Sequence, residues 1–347
     1  MENYNEFNVL DKQSKVNPDN LLGLNDISSI TRFYPILSYN DTISNEFIGT
    51  FQVEPGFFNN NLNFSLDLKF MELYTAIKFD EKNRLLIGKK RLDWGSGLVW
   101  NPTLFYTQKD PLRTQNRLEG VYQLNYNHLF EKSDLEFYIF PDSTISKSKI
   151  AIKYNMFGNR SNFSSTYIYS GEGHQLGYDI SYGGNQFVLY SEGIAKTYSR
   201  RFSINPEGLI IDPTSIKKTL NIEVVLGSSI NLSERITSYF EYRYSGDNLN
   251  RNEIKAFRNY LPNNLILYDP ISMGQHSFFG SVNYIGSYGR WSLNSRGFYD
   301  PTSHQLILSP LFVYSLNNLQ LELSALAFHN SFAIYDLQST LLISLSF

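Results

Sequence analysis

Thr219-Leu220-Asn221-Ile222-Glu223-Val224-Val225-Leu226-Gly227-Ser228-Ser229-Ile230 is the stretch on which the fold turns. Leu220, Ile222, Val224 and Leu226 alternate with Asn221, Glu223, Val225 and Gly227. In an extended chain this puts apolar side chains on one face and mainly polar or small ones on the other. The pattern recurs. Leu118, Tyr122, Leu124 and Tyr126 alternate with Glu119, Gln123, Asn125 and Asn127, and Ile150, Ile152, Tyr154 and Met156 with Lys149, Lys153 and Asn155. Leu176, Tyr178, Ile180 and Tyr182 face away from Gly177, Asp179 and Ser181, and Ile236, Phe240, Tyr242 and Tyr244 away from Glu241 and Arg243. No amphipathic helix of any length is read, so the chain is expected to be all-β.

The connections carry the next inference. Short polar turns are expected at 80–83, 131–134, 158–161, 184–186, 231–234, 287–290 and 317–318. Longer, irregular segments lie between them at 93–116, 201–218, 247–274 and 329–339, with shorter ones near 142–148, 171–175 and 300–304. Short on one side and long on the other is the arrangement of outer-membrane barrels, with tight periplasmic turns and long external loops. The last residues, Thr340 to Phe347, place Leu341, Ile343, Leu345 and Phe347 on one face. That spacing, ending on an aromatic, resembles the closing-strand signal read by the barrel-assembly machinery, which is therefore an expected partner.

Composition agrees. Twenty-six Phe and 25 Tyr against 3 Trp suit a surface where hydrocarbon meets water, because a Tyr ring is apolar and its hydroxyl wet. No stretch approaches the roughly 18 consecutive apolar residues of a membrane helix, but a spanning strand needs apolar groups on its lipid face only. The chain holds no cysteine, which removes disulfides, Cys-ligated zinc and iron–sulfur clusters. Its 30 Lys+Arg against 33 Asp+Glu give a net charge of −3, unlike the basic stripe of a nucleic-acid binder. Met1-Glu2-Asn3-Tyr4-Asn5 lacks the basic and apolar character of a signal segment, so such a segment is expected ahead of this numbering.

The expected fold is a closed antiparallel transmembrane β-barrel of 16–18 strands over 26–347, preceded by a polar, periplasmic N-terminal segment, 1–25. Counting from residue 45 gives 16 strands. The apolar phase flips between Phe70 and Leu73: a bulge would explain this within one strand, whereas a turn there, with 30–40 as an added strand, would give 18.

Two stretches resemble known families. Glu72-Leu73-Tyr74, Ile87-Gly88-Lys89-Lys90-Arg91, Trp94-Gly95 and Asn101-Pro102-Thr103 resemble a pattern of porin-like barrels. Tyr242-Arg243-Tyr244-Ser245-Gly246-Asp247, Ala256-Phe257, Tyr260-Leu261-Pro262 and the stretch from His276 to Gly280 look like a region of alginate-export-type barrels. The resemblance implies an integral outer-membrane barrel of about 18 strands that carries polysaccharide or small solutes.

Enzyme motifs are not found. His128, His174, His276, His304 and His329 stand far apart without metal spacing, and no cofactor is expected. The face opposite the apolar one gives the lumen-lining candidates: Glu72, Lys78, Glu119, Lys149, Lys153, Asp179, Glu223, Glu241, Arg243, Arg296 and Glu322. Opposed acids and bases on a wall set up a transverse field that favours polar solutes; the alternative is neutralised pairs holding a plugged lumen. Loop 93–116 is the expected constriction or ligand surface, through Trp94, Trp100, Phe105, Tyr106, Lys109, Asp110 and Arg113. Trp94, just past a strand end, is read rather as part of the external aromatic girdle.

The leading expectation is a porin-type channel for passive diffusion of small or elongated hydrophilic solutes, in contact with outer-membrane lipid. A second is a surface polysaccharide-binding or capsule-associated barrel with a closed lumen. A third is a sheath around a periplasmic or lipoprotein partner.

Overall fold

The computed structural model describes residues 71–106, 119–199, 218–255, 274–286 and 289–315 with their side chains, Ser146 excepted, and residues 321, 323, 325 and 327 likewise. Elsewhere it describes the backbone of named strands and of one helix.

In chain order the first strands are β1 (Glu2–Val9), β2 (Ile27–Phe33), β3 (Ile36–Asn40), β4 (Asn45–Phe57), β5 (Phe64–Lys78), β6 (Asn83–Lys90) and β7 (Val121–Leu129). They are followed by β8 (Ser133–Phe140), β9 (Lys149–Phe157), β10 (Ser161–Ser170), β11 (Gly173–Gly183) and β12 (Phe187–Lys196). A two-stranded hairpin, β13 (Ser203–Ile204) with β14 (Ile210–Ile211), stands apart from the main sheet. The sheet resumes with β15 (Asn221–Ser233), β16 (Ile236–Ser245), β17 (His276–Ile285), β18 (Trp291–Asp300), β19 (Gln305–Leu316), β20 (Leu319–His329) and β21 (Leu337–Leu345). The helix, α1 (Arg251–Tyr260), starts where Asn250 Oδ1 accepts the N–H groups of Asn252 and Glu253, and Glu253 returns a carboxylate to the Asn250 N–H.

The expected closed barrel of 16–18 strands is corrected by this sheet. Across the thirteen strands with described side chains, β5 to β19, the sheet is antiparallel and open, since its first and last strands do not pair with each other. The full sheet has nineteen strands. Backbone pairing continues past β5 to β4, and from β4 to β3 and, at the single pair Phe33↔Val53, to β2. Past β19 it continues to β20 and β21, and β1 runs antiparallel to both β2 and β21. Alternation along a strand reports its faces but not what its edge meets, which is why count and closure were the parts misread. β1 lies within the stretch 1–25 read as a polar segment.

The phase flip in β5 is a bulge. Thr50 pairs with Glu72 and Phe51 with Phe70, so Met71 is the extra residue. One rim carries the short connections 79–82, 130–132, 158–160, 184–186 and 234–235. At the other rim the strands are joined through 141–148 and the tight 171–172 and 301–304, and the long stretches after β6, β12 and β16 begin there.

The two faces of the sheet differ sharply. Leu73, Ile87, Leu124, Ile139, Ile152, Tyr167, Ile180, Leu226, Phe240, Val282, Leu293 and Leu308 all stand exposed. They come from twelve strands, so the outer face carries a continuous apolar band. The inner face carries the buried polar groups, among them Asp179, Glu192, Glu223, Glu241, Arg243 and Arg296. This is a core turned inside out relative to a water-soluble sandwich, whose apolar face would be buried.

Candidate functional site

After β6 the chain leaves the wall and crosses its inner face as a strap, residues 91–106. A buried loop must find partners for its backbone N–H groups, since water cannot reach them. Here wall carboxylates supply them. Asp179 on β11 accepts both the N–H and the hydroxyl of Ser96, each at 2.5 Å. Glu192 on β12 accepts the N–H of Gly97 at 3.2 Å and both the N–H and hydroxyl of Thr103, at 2.8 and 2.6 Å. Glu241 on β16 accepts from Leu98, from Val99 at 3.0 Å and from Trp100 at 3.3 Å, and Tyr190 donates to it at 2.5 Å. Glu192 and Glu241 are 0 % exposed. Several charge-assisted hydrogen bonds to each carboxylate offset its removal from water.

Local sequence fits the strap to this clamp. Gly95 has φ +84°, and a Cβ there would lie 2.2 Å from a Glu192 carboxylate oxygen. Asn101 to Leu104 make a turn closed by Leu104 N–H to Asn101 O at 2.9 Å, with Pro102 at its second position. A Cβ on Gly177 of the wall would press to 2.9 Å from the Thr103 methyl, so the strap lies against bare backbone there.

Apolar packing seats both limbs. Val99 and Trp100 bury against Tyr190, Val225, Phe279, Phe298 and Ile307, on β12 to β19. Leu92, Trp94 and Leu104 bury against Tyr138, Phe140, Ala151 and Ile168, on β8 to β10. The strap thus reaches from one side of the described wall to the other and returns.

The candidate residues fall into place as follows. Trp94 is corrected: it is not in an external girdle but 3 % exposed on the inner side, edge-on to Tyr138, with Lys153 Nζ 5.4 Å from its ring centre. A Trp just past a strand end reads as girdle only if the following loop turns outward, and this one turns inward. Trp100, Phe105 and Tyr106 lie in the strap, with Lys149 Nζ 4.8 and 4.2 Å from the Phe105 and Tyr106 rings. Lys109, Asp110 and Arg113 lie outside the described residues. Glu72 accepts the Arg91 N–H at 3.0 Å, and Glu119 is paired with Lys89. Arg243 meets Glu223 at 2.7 Å, with Lys196 at 4.0 Å from the same carboxylate, and Arg296 donates to Ser309 at 2.8 Å. Lys78 is exposed near the short-turn rim. The side chains of Glu322, Leu341, Ile343, Leu345 and Phe347 lie outside the described residues.

Asp179, Glu223, Glu241 and Arg243 are therefore brought to one inner surface, where the two acids of the clamp are spent on the strap. Glu192, the third carboxylate, was missed by sequence reasoning. Its signal was its pairing opposite Asp179, visible only once the register is known. Two cavities flank the strap. The first, about 290 Å³, opens toward the long-connection rim past Lys149, Glu172, Lys196 and Asp247. The second, about 240 Å³, reaches toward the short turns past Arg84, Asn127, Glu136 and Asn155. Among the described residues no group of three His, Cys, Asp or Glu is placed to hold a metal.

Comparison with known structures places this architecture. No protein-family model matches the chain, and no curated protein matches it. Solved structures do, over nearly the whole length. OccAB3 of Acinetobacter baumannii aligns with 100 % of this chain and 98 % of its own, at a TM-score of 0.59 and 11 % identity. The outer membrane protein OpdK of Pseudomonas aeruginosa covers 99 % of this chain and 96 % of its own, at 0.59 and 11 %. A triple mutant of Rhodopseudomonas blastica porin covers 99 % and 98 %, at 0.50 and 9 %. The chain shares the fold of porin-type outer-membrane proteins, as its sequence resemblance implied.

Proposed function

We propose that this chain is an integral protein of the bacterial outer membrane that acts as a porin-type channel. Small hydrophilic solutes cross it passively, in contact with a wall seated in outer-membrane lipid and inserted by the barrel-assembly machinery. The observation that carries this reading is the apolar band exposed on twelve strands, set against an inner face of buried polar groups. Exposed aliphatic and aromatic groups at every second position are costly in water and favourable in hydrocarbon. The strap lies across the inner face between two cavities, and this placement supports reading it as the constriction of the proposed passage.

Single-channel recording in planar bilayers tests the reading. The purified protein should give discrete conductance steps, and deleting 98–112 should raise them, because the deletion removes Val99, Trp100 and Leu104 from the interior. Replacing Lys153 by Glu should move the reversal potential toward cation selectivity. Bilayers that stay silent with and without the strap would overturn the channel and favour a closed, glycan-binding surface protein instead.

A further inference from the structure

The cavity between the strap and the long-connection rim is built for a particular kind of molecule. We propose that it is a binding subsite for a neutral, hydroxyl-rich solute, a sugar ring, which rests on the reading that solutes enter this interior.

Charge speaks first. The described lining holds three bases, Lys149, Lys196 and Arg243, and three acids, Glu172, Glu223 and Asp247, for a net of zero. Most are engaged. Glu223 holds Arg243 and Lys196, Asp247 accepts from Ser199 at 2.6 Å, and Lys149 lies over two rings. A cavity whose charges balance and are mostly paired gives a small ion little net field to follow. Neutral solutes with many hydrogen-bonding groups meet no such penalty.

Unmet hydrogen bonds speak second. Gln175 is 2 % exposed, and its Nε2 donates to the Tyr198 hydroxyl at 2.6 Å, yet its Oε1 accepts nothing. Asn101 donates through Nδ2 to Gly97 O and Glu192, and its Oδ1 accepts nothing either. Both residues line this cavity. Buried amide oxygens are almost always satisfied, so two in one cavity call for a donor. A sugar hydroxyl is such a donor, and it accepts as well, from Lys149.

Aromatic surface speaks third. Phe105 and Tyr106, with ring centres 4.5 Å apart and planes tilted by 46°, are both partly exposed at the cavity wall beside Lys149. The CH-rich face of a pyranose can stack on one such ring while its hydroxyls reach sideways to the amides. At about 290 Å³ the cavity sits at the lower bound of ligand sites, roughly 300–1,000 Å³.

The test joins two measurements on the full-length protein. Sucrose is titrated into an open channel in a planar bilayer, and sucrose binding to the purified protein is measured by calorimetry. Sucrose should reduce the current in a saturable way. Gln175→Met should raise the half-blocking concentration roughly fivefold or more, Gln175→Glu should restore it by returning an acceptor, and Phe105→Leu should weaken block independently. Glucuronate blocking more strongly than sucrose would overturn the proposal in favour of an anion site. Conductance without block or calorimetric binding would overturn the subsite and leave the channel standing. Silent bilayers with calorimetric binding that Gln175→Met weakens would retain the subsite and remove the channel. Silence without binding removes both.

Discussion

At the scale of single residues the strap depends on carboxylates that hold backbone. Replacing Glu241 by Ala would leave the N–H groups of Leu98, Val99 and Trp100, and the Tyr190 hydroxyl, without this acceptor. A buried donor without a partner costs about 1–3 kcal/mol, so the strap should lift from its seat. Glu241→Gln keeps one carbonyl acceptor and should be milder. Limited proteolysis reads this directly, with cleavage between 95 and 106 fastest in the Ala variant and intermediate in the Gln variant. Equal resistance in all three proteins would mean that apolar packing alone seats the strap. Glu241 was legible in the sequence because it alternates with Phe240 and Tyr242. What it does was not, since apart from the Tyr190 hydroxyl its partners are backbone N–H groups, which leave no mark in a sequence.

Elements show a similar division. The turn between β5 and β6 is set by Asp80, whose carboxylate accepts the Asn83 side chain at 2.7 Å and the N–H groups of Lys82 and Asn83 at 2.8 and 2.7 Å. The Asn83 side chain first, and the Lys82 N–H next, hold this carboxyl below its usual range. A carboxyl depressed in the folded state adds stability above its unfolded value, about 3.9, and loses it as pH falls through the folded value. The stability difference between wild type and Asp80→Asn in urea unfolding from vesicles should thus hold steady above about pH 5 and narrow below about pH 4. A difference that stays constant down to the lowest pH would show that the turn does not depend on this charge. Asp80 announces itself by its place between alternating runs, and so does the bulge at Met71, through its phase flip. β1 does not, because Asn-rich Glu2–Val9 offers few apolar residues to set a phase.

Taken as one body, the protein is sorted by its two faces. Ile152 is exposed in mid-strand on β9, beside Lys153 on the inner face. Placing Arg at a lipid-facing mid-membrane site costs about 2–4 kcal/mol, so Ile152→Arg should sharply lower the fraction that folds into lipid vesicles. Lys153→Gln should leave that fraction near wild type. Equal yields from the two variants would contradict the assignment of the faces. The faces were readable because a period of two is a local property. The inward course of the strap was not, because it depends on carboxylates contributed by β11, β12 and β16, far away in sequence.

The seating of the strap has an optical consequence. Of the three tryptophans, Trp94 and Trp100 ride on the strap and are 3 % and 7 % exposed, while Trp291 sits beside a short turn against Tyr284 and Phe312. With Trp291 replaced by Phe, every indole emitter belongs to the segment that crosses the interior. A shift of emission to longer wavelength would then report that segment meeting water, and its movement could be followed in a cuvette in real time.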